Sequence, residues 1–263
     1  MSESIEAKYC TEFPTKQTII DIFSGLWKSS FPEDSGIKAG TAPNFEDARV
    51  VWAQDIIGGF TGKSVLELGP YEAYNTWQLS EYGASPLIAI EGNNINYLKC
   101  LLVKEVLDVK VNLLHGDILE YLEHTDATVD ICWASGVLYH QTNPLRLLDG
   151  IGKVCRTVFF WTHFYDDVIE QNLDSYPHFK SQHVESITHN GFTAQHYARS
   201  YRMNAIPTYF SGGSEPYANW IRKEDIFEYL NKLGFKNIKV RGINMEHKAG
   251  PSISFMASKD DIF

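Results

Sequence analysis

The residues best suited to chemistry lie in a strand–turn–helix stretch at Ser64–Thr76, which reads SVLELGPYEAYNT. A short apolar strand there ends near Glu67, a tight turn follows at Gly69, and a helix comes next. A second apolar strand ends in an acid, Glu91. In an open α/β sheet, such a turn offers backbone N–H groups to a ligand, and the acid can accept hydrogen bonds from a ribose diol. The pattern therefore predicts a nucleoside-binding corner.

The same corner disfavours two common nucleotide ligands. A dinucleotide fingerprint requires G-x-G-x-x-G, whereas this chain has Gly69, Tyr71 and Tyr74 at those positions. The Tyr71 side chain leaves little room for a pyrophosphate against the backbone, which disfavours NAD and FAD. The Walker pattern G-x-x-x-x-G-K-[ST] is absent from the sequence as well, which disfavours nucleoside triphosphates.

The elements that must position this corner alternate between strands and helices. Helical spacing of apolar residues predicts helices at Asn94–Val106, after Pro144 and at Glu224–Leu233. Nearly continuous apolar runs predict seven strands, at Ser64–Leu68, Leu87–Glu91, Val111–Leu114, Val129–Ala134, Thr157–Trp161, Ile238–Ile243 and Ile253–Ala257. This alternation predicts an α/β fold, a doubly wound and mostly parallel seven-stranded sheet with helices on both faces.

Two segments depart from this alternation. Residues 1–44 hold an apolar run followed by a stretch rich in proline and glycine, which predicts an N-terminal helical cap on a main domain at 45–263. The segment at about 163–219 holds five of the nine histidines and is long enough to be a lid or an acceptor-binding insertion. Its histidines lack the spacing of metal ligands, so no metal site is predicted.

In this order and spacing, the motifs resemble those of a class I S-adenosylmethionine-dependent methyltransferase. The resemblance rests on Glu-x-Gly in the first strand and its turn, the acid ending the second strand, Gly-Asp after the third and an apolar fourth strand, and it covers roughly Phe45 to the C-terminus. Locally, Ala134–His140, Asn143-Pro144 and the stretch from Asn219 resemble the branch that contains the tRNA wobble-uridine 5-oxyacetate methyltransferases. The family's first motif usually runs E-x-G-x-G-x-G, and here Tyr71 and Ala73 replace its second and third glycines.

The resemblance implies a Rossmann-like methyltransferase fold and a cofactor, S-adenosyl-L-methionine. The ordinary form of the cofactor is favoured over the carboxylated form, because the sequence places no basic residue convincingly for a second carboxylate. Carried over by position, the motifs imply that Glu91 binds the ribose and that Asp117 and Ile118 meet the adenine. The complete set of implied cofactor-binding residues is Glu67, Gly69, Tyr71, Asn75, Glu91, Gly92, Asn93, Asp117, Ile118, Ser135 and Gly136.

Methyl transfer requires a positioned acceptor, and it requires a general base only when the acceptor must lose a proton. His140 follows the fourth strand on the ligand side of the sheet, so it is the candidate catalytic residue. The alternative is that His140 packs or caps a turn without a proton role. The candidate acceptor-binding residues are aromatic or imidazole side chains, namely Trp27, Tyr139, His163, Tyr165 and Tyr209.

The net charge of the chain discriminates between small-molecule and RNA acceptors. The chain has 23 basic and 33 acidic residues, a formal net charge of −10, which disfavours binding to a polyanion. A small-molecule acceptor is therefore favoured, with aromatic or natural-product-like molecules among the candidates. A tRNA wobble uridine is the first alternative, and a cofactor-binding protein without transferase activity is the second. The four cysteines are scattered and do not form a disulfide framework, and the sequence shows no apolar stretch long enough for a membrane span and no leader pattern. We therefore expect a cytoplasmic enzyme without a membrane partner.

Overall fold

The computed structural model describes residues 9–180, 183–201 and 213–263. The helices are α1 (Lys16–Ile20), α2 (Ala48–Ile57), α3 (Tyr74–Glu81), α4 (Asn94–Val106), α5 (Ile118–His124), α6 (Pro144–Val154), α7 (Asp167–Gln171) and α8 (Lys223–Lys232). The strands are β1 (Val65–Leu68), β2 (Leu87–Glu91), β3 (Asn112–His115), β4 (Val129–Ser135), β5 (Cys155–His163), β6 (Val184–His189), β7 (Phe192–Ser200), β8 (Tyr217–Trp220), β9 (Asn237–Asn244) and β10 (Ser252–Ser258). Within these described ranges, no helix has the length and apolar character needed to cross a bilayer.

Seven strands form one sheet in the order β3-β2-β1-β4-β5-β10-β9. The strands from β3 to β5 pair in parallel, and β10 runs antiparallel to both of its neighbours. The predicted doubly wound, mostly parallel seven-stranded sheet is therefore confirmed. A second, antiparallel sheet of β6, β7 and β8 lies in the predicted insertion, and the sequence reasoning did not predict it.

Both faces of the large sheet are buried because successive residues of a central strand enter different cores. In β4, Cys132 and Ala134 pack into the core that contains side chains of α5, α6 and α8. Ile131 and Trp133 point to the other face, where the N-terminal segment, α2, α3 and α4 complete the second core. Trp133 stacks there on Phe159 of β5, with ring centroids 3.8 Å apart. Burial on both faces explains why these strands appear in the sequence as continuous apolar runs.

Polar residues at the strand ends begin the helices that follow. Asn93, Asp117 and Asn143 each accept a hydrogen bond from a backbone N–H in the first turn of α4, α5 and α6, respectively. Such an N-cap typically contributes about 1 kcal/mol. Pro144 occupies the first position of α6, where its fixed φ suits a helix start. The carboxyl ends of β2, β3 and β4 are thus followed by capped helix starts, which hold the connecting loops at one edge of the sheet.

A buried ion pair joins the N-terminal segment to the sheet. Glu72, in the turn after β1, and Lys99, on α4, are both fully buried, with Nζ 2.8 Å from Oε1. Lys99 also donates to the carbonyl of Leu26, and the Glu72 carboxylate accepts from the backbone N–H groups of Lys28 and Ser29. A buried ion pair is tolerated when hydrogen bonds of this kind satisfy its remaining donors and acceptors. The pair therefore holds the turn, α4 and residues 26–29 in one arrangement.

We expect Lys99→Met to lower the free energy of unfolding by about 3–5 kcal/mol, because Glu72 would keep a buried charge without its cation. Urea unfolding measures this loss. The matched control is Lys110→Met, which breaks an ion pair with Asp108 whose two side chains are 77% and 84% exposed. That control should cost less than about 1 kcal/mol. Equal losses in the two variants would contradict the role assigned to the buried pair.

Candidate active site

A cleft of about 860 Å³ opens at the carboxyl ends of β1 to β5. The strand order reverses between β1 and β4 at this edge, which is where open α/β sheets bind their ligands. The cleft brings together most of the residues predicted from the sequence. Those that line it are Gly69, Tyr71, Glu91, Gly92, Asn93, Asp117, Ile118, Ser135, Gly136, Tyr139 and His140.

The turn after β1 keeps the backbone of a glycine-rich loop without the glycines. Gly69, Tyr71 and Ala73 all adopt left-handed conformations, with φ of +65°, +60° and +55°. This region costs a residue with a Cβ roughly 1–2 kcal/mol. Glu72 lies between the two strained residues, and its hydrogen bonds to the N-terminal segment and to Lys99 hold the turn in place. Glycine would adopt these left-handed conformations without strain. Here the contacts of the buried Glu72 hold Tyr71 and Ala73 in them instead.

Glu91 connects this turn to the end of β2. Its Oε2 accepts from the Tyr71 N–H at 3.0 Å, and its Oε1 accepts from the Asn93 N–H at 2.8 Å. Burial raises the pKa of the Glu91 carboxyl, and these backbone hydrogen bonds oppose the shift. A carboxylate has about four acceptor positions, so Glu91 keeps capacity to accept from the hydroxyls of a ligand in the cleft.

The third strand contributes a carboxylate and an aromatic wall. Asp117 uses Oδ1 to cap α5, and its Oδ2 has no hydrogen bond to any residue that the structure describes. His115, at the end of β3, stacks on Tyr97 with ring centroids 4.7 Å apart. Ile118 lines the cleft beside them. This part of the cleft offers an acceptor and flat apolar surfaces, which suits a heteroaromatic base with an exocyclic amine.

His140 lies at the opposite end of the cleft, in the single helical turn that follows β4. Its Nδ1 is 2.5 Å from the hydroxyl of Tyr201. Burial, together with the nearby positive charge of Arg199 and with His163, lowers the pKa of His140 to about 3. His140 is therefore uncharged at neutral pH and is a weak proton acceptor.

The insertion completes this end of the cleft. Its strand β8 is bonded to the residues after β4: the Asn219 N–H donates to the Gln141 carbonyl at 2.8 Å, and the Asn219 side chain donates to the Thr142 carbonyl at 2.7 Å. The Trp220 indole N–H donates to the carbonyl of Tyr139. Residues 213–215 line the cleft directly. The insertion is therefore part of the wall, and its predicted role as a lid stays a prediction.

Two residues predicted to bind the cofactor do not line the cleft. Glu67 is buried below the turn, where it accepts a hydrogen bond from the Thr76 hydroxyl at 2.5 Å. Asn75 faces the core side of α3, where it donates to Asp47 and accepts from the Trp133 indole. Both side chains are held by buried partners behind the turn, so direct contact of Glu67 and Asn75 with a cofactor stays a prediction.

Of the predicted acceptor residues that the structure describes, Tyr139 lines the cleft and the others do not, so their role stays a prediction. Trp27 lies within the N-terminal segment and is buried against the sheet face, and its indole N–H donates to the Ile20 carbonyl. His163 is buried at the end of β5 and stacks on an indole ring with centroids 4.9 Å apart. Tyr165 is buried in the core of the insertion, stacked on another tyrosine at 3.5 Å. Tyr209 lies outside the described residues.

The cleft also contains two basic residues that the sequence reasoning missed, Lys28 and Arg49. Arg49 pairs with Asp47 at the start of α2, and its guanidinium lies 5.2 Å from the ring centroid of Trp161, another cleft residue. The Asp-x-Arg spacing at a helix start is the one local signal for Arg49, and Lys28 has none. Other lining residues absent from the predicted set include Tyr74, Asn96, His115, Leu119, Gln141, Thr142 and Trp161. Across the described ranges, no cluster of three or more metal-ligating side chains is present.

Solved structures share this architecture. The N-terminal domain of EvdMO1, crystallised with SAH (S-adenosylhomocysteine) and D-fucose, is 21% identical over 89% of this chain and 91% of that one, with a TM-score of 0.65. The magnesium protoporphyrin IX methyltransferase ChlM from Synechocystis PCC 6803, with bound SAH, is 14% identical over 81% of each chain, with a TM-score of 0.53. The chain has the class I methyltransferase fold. TehB from Haemophilus influenzae is 13% identical over 92% of this chain and 67% of that one, with a TM-score of 0.52.

The comparisons by sequence give no match. No protein-family model matches the chain, and no curated protein matches it. The structures described above include no wobble-uridine enzyme, so the local resemblance to that branch stays a prediction.

The buried Glu67 predicts that the free energy of unfolding depends on pH. Burial raises the pKa of Glu67 to about 8, with the Thr76 hydrogen bond opposing the shift and Glu91 adding to it. Between about pH 4.5 and 8 the unfolded chain loses this proton and the folded protein keeps it, so stability falls as the pH rises, by at most about 1.4 kcal/mol per unit. Because Gln resembles the protonated acid, Glu67→Gln should gain stability over the wild type as the pH rises.

Urea unfolding at pH 5 and pH 8 tests this expectation. Glu105→Gln, on the exposed face of α4, removes the same charge and serves as the control. A stability difference between Glu67→Gln and the wild type that is the same at both pH values would contradict a buried, protonated Glu67.

Proposed function

We propose that this protein is an S-adenosyl-L-methionine-dependent methyltransferase that acts on a small-molecule acceptor. The observation that carries the proposal is the arrangement of three successive strand ends around one cleft: the left-handed turn at Gly69, the Glu91 carboxylate and Asp117. Two proteins with the same fold, the N-terminal domain of EvdMO1 and ChlM, were crystallised with SAH, which supports this assignment.

We assign the cofactor to the half of the cleft formed by β1, β2 and β3. Glu91 accepts hydrogen bonds from the ribose hydroxyls, and the free Oδ2 of Asp117 accepts from the adenine amine. The turn from Gly69 to Tyr71 lies beside the methionine end. The Tyr71 ring occupies space that a pyrophosphate would need, and S-adenosyl-L-methionine has no phosphate.

The acceptor belongs to the other half, where Tyr139, His140 and Trp161 line the cleft. The cleft volume of about 860 Å³ lies in the upper part of the roughly 300–1,000 Å³ range of small-molecule pockets, which supports a small acceptor beside the cofactor. The net charge of −10 supports a small acceptor over RNA, since RNA binding depends on neutralising phosphates.

Bound S-adenosyl-L-methionine would supply an activated methyl group and a neutral thioether leaving group. The protein's contribution is positional: the walls around Tyr139 and Trp161 exclude water, and the turn after β4 holds the acceptor in line. His140, uncharged and bonded to Tyr201, is better suited to orienting the acceptor by a hydrogen bond than to removing its proton.

Glu91→Gln tests the function directly. The variant loses the charge-assisted hydrogen bonds to a ribose, worth about 1.5–3 kcal/mol, so SAH affinity should fall roughly 10- to 100-fold in calorimetry. Glu105→Gln is the control and should bind SAH as the wild type does. Wild-type enzyme should also transfer radiolabelled methyl groups from S-adenosyl-L-methionine to the small-molecule fraction of a cell extract. Unchanged SAH affinity would contradict the ribose assignment, and labelling that ribonuclease destroys would contradict the small acceptor.

His140→Gln separates an orienting role from a proton-transfer role. We expect SAH affinity to be retained and turnover to fall about tenfold, since one hydrogen bond to the acceptor is lost. The low pKa of His140 predicts that wild-type turnover has no inflection from this residue between pH 6 and 8. A rate that rises through pH 6–7 in the wild type, and does not in His140→Gln, would instead establish His140 as a base.

A further inference from the structure

The turn after β4 depends on contacts from outside itself. Tyr139 and His140 reach the cleft from the single helical turn at Leu138–His140. This turn closes with two backbone hydrogen bonds, donated by the N–H groups of His140 and Gln141. Such 3₁₀ turns have poorer hydrogen-bond geometry than an α-helix. The direction of the Tyr139 and His140 side chains is therefore set by what packs against the turn.

Strand β8 of the insertion bonds to three carbonyl groups of this turn. The Tyr139 carbonyl accepts from the Trp220 indole N–H at 3.1 Å. The carbonyls of Gln141 and Thr142 accept from one residue, Asn219, through its backbone N–H at 2.8 Å and its side-chain amide at 2.7 Å. Asn219 is 8% exposed, so it makes these bonds largely out of water. A single side chain thus helps to fix two successive peptide groups of the turn.

Gly213 lies against the carbonyl group between them, that of His140. A Cβ added at Gly213 would lie 2.7 Å from the His140 carbonyl oxygen, closer than a Cβ can approach without something moving. The atom that it would meet belongs to the backbone, so either the turn or the insertion would have to shift. Residues 213–215 also line the cleft. Glycine at this position therefore sets how closely the insertion approaches the turn.

These contacts are separate from the residues assigned to the cofactor. Glu91 accepts from backbone N–H groups beside β1 and α4, and Asp117 caps α5. The partners of Asn219 are different, because they all belong to the turn after β4. The stretch from Asn219 and the segment Ala134–His140 are also two of the segments that resemble one branch of the family, and here they are bonded to each other. The insertion therefore supports the acceptor half of the cleft.

We propose that Asn219 and Gly213 are positioning residues of the acceptor site, which hold the turn after β4 with Tyr139 and His140 facing the acceptor. The inference rests on the proposed methyltransferase function. Asn219 acts by bonding to the turn, and Gly213 acts by leaving room for it. Without these contacts the turn can adopt several arrangements, few of which align an acceptor with the methyl group. Turnover should then fall while cofactor binding is retained.

Asn219→Asp tests the bond from the side chain. The variant keeps the backbone N–H and the side-chain shape, and it places a carboxylate without a donor against the Thr142 carbonyl. At pH 8, transfer of radiolabelled methyl groups to the small-molecule fraction should fall roughly tenfold, with SAH affinity unchanged in calorimetry. Asn172→Asp is the matched control, because Asn172 also donates its side-chain amide to a carbonyl of the insertion, that of Val168 at 2.9 Å. It should keep the wild-type rate.

Lowering the pH should restore Asn219→Asp. A protonated carboxyl has an O–H to donate, and burial raises the pKa of a carboxyl, so the new side chain regains a donor as the pH falls. The rate of this variant relative to Asn172→Asp, measured at the same pH, should therefore rise between pH 8 and pH 6. A ratio that stays constant would contradict a role for the amide donor.

Gly213→Ala tests the close approach of the insertion. This variant should also lose turnover and keep its SAH affinity. In both variants the Trp220 indole proton, assigned in NMR spectra with Trp220→Phe, should exchange with solvent faster than in the wild type, because the bond to Tyr139 is loosened. Gly242→Ala is the control for the glycine, since a Cβ there meets no atom within 4 Å.

The outcomes separate this inference from the proposed function. Wild-type turnover in Asn219→Asp or in Gly213→Ala would overturn the positioning role, and so would a loss of SAH affinity as large as the loss of turnover. A wild type that binds SAH and transfers no methyl group would contradict the methyltransferase instead. The Trp220 indole proton then decides, and the positioning role is wrong if it exchanges no faster in the two variants than in their controls.

Discussion

The buried ion pair between Glu72 and Lys99 is the interaction on which the cleft depends. Lys99 comes from α4, Glu72 comes from the turn after β1, and both bond to the backbone of residues 26–29. Three separate stretches of chain therefore meet at one pair of charges. Both charges are buried, so any arrangement that displaces the partners of one of them leaves an uncompensated charge away from water, at a high cost in free energy. The pair therefore holds these three stretches in a single geometry.

This constraint allows the strained backbone of the turn after β1 to persist. Tyr71 and Ala73 keep left-handed backbones beside the cleft, and such strain persists when the surroundings hold the residue in place. The Tyr71 side chain is used as well, since its ring lies 6.0 Å from the ammonium of Lys99 and lines the cleft. A glycine would relieve the strain and leave a gap over the ion pair. The departures from the family motif thus form a consistent local structure.

The sequence predicts the parts of the molecule whose signals are local. Strands buried on both faces appear as apolar runs, and two acids, Glu91 at the end of β2 and Asp117 just after β3, reach the cleft because the sheet fixes their position. Lys28 and Arg49 reach it through tertiary packing, and of the two only Arg49 has a local signal, the Asp-x-Arg spacing at the start of α2. Trp27 and His163 are buried and do not line the cleft, since an aromatic or imidazole side chain near a predicted site in sequence can equally face the core. The small sheet escaped prediction because β6 is mostly exposed and has no continuous apolar run.

The attachment of β8 to the turn after β4 has a consequence for how this protein can change. The bonds run from Asn219 and Trp220 to the main-chain carbonyls of Tyr139, Gln141 and Thr142. Carbonyl groups are common to every residue type, so the side chains of that turn can be exchanged without loosening the insertion. The cofactor half is built from other stretches of chain. On the proposed function, new acceptor preferences can therefore arise by substitution in a few side chains of that turn, while the residues assigned to the cofactor stay unchanged.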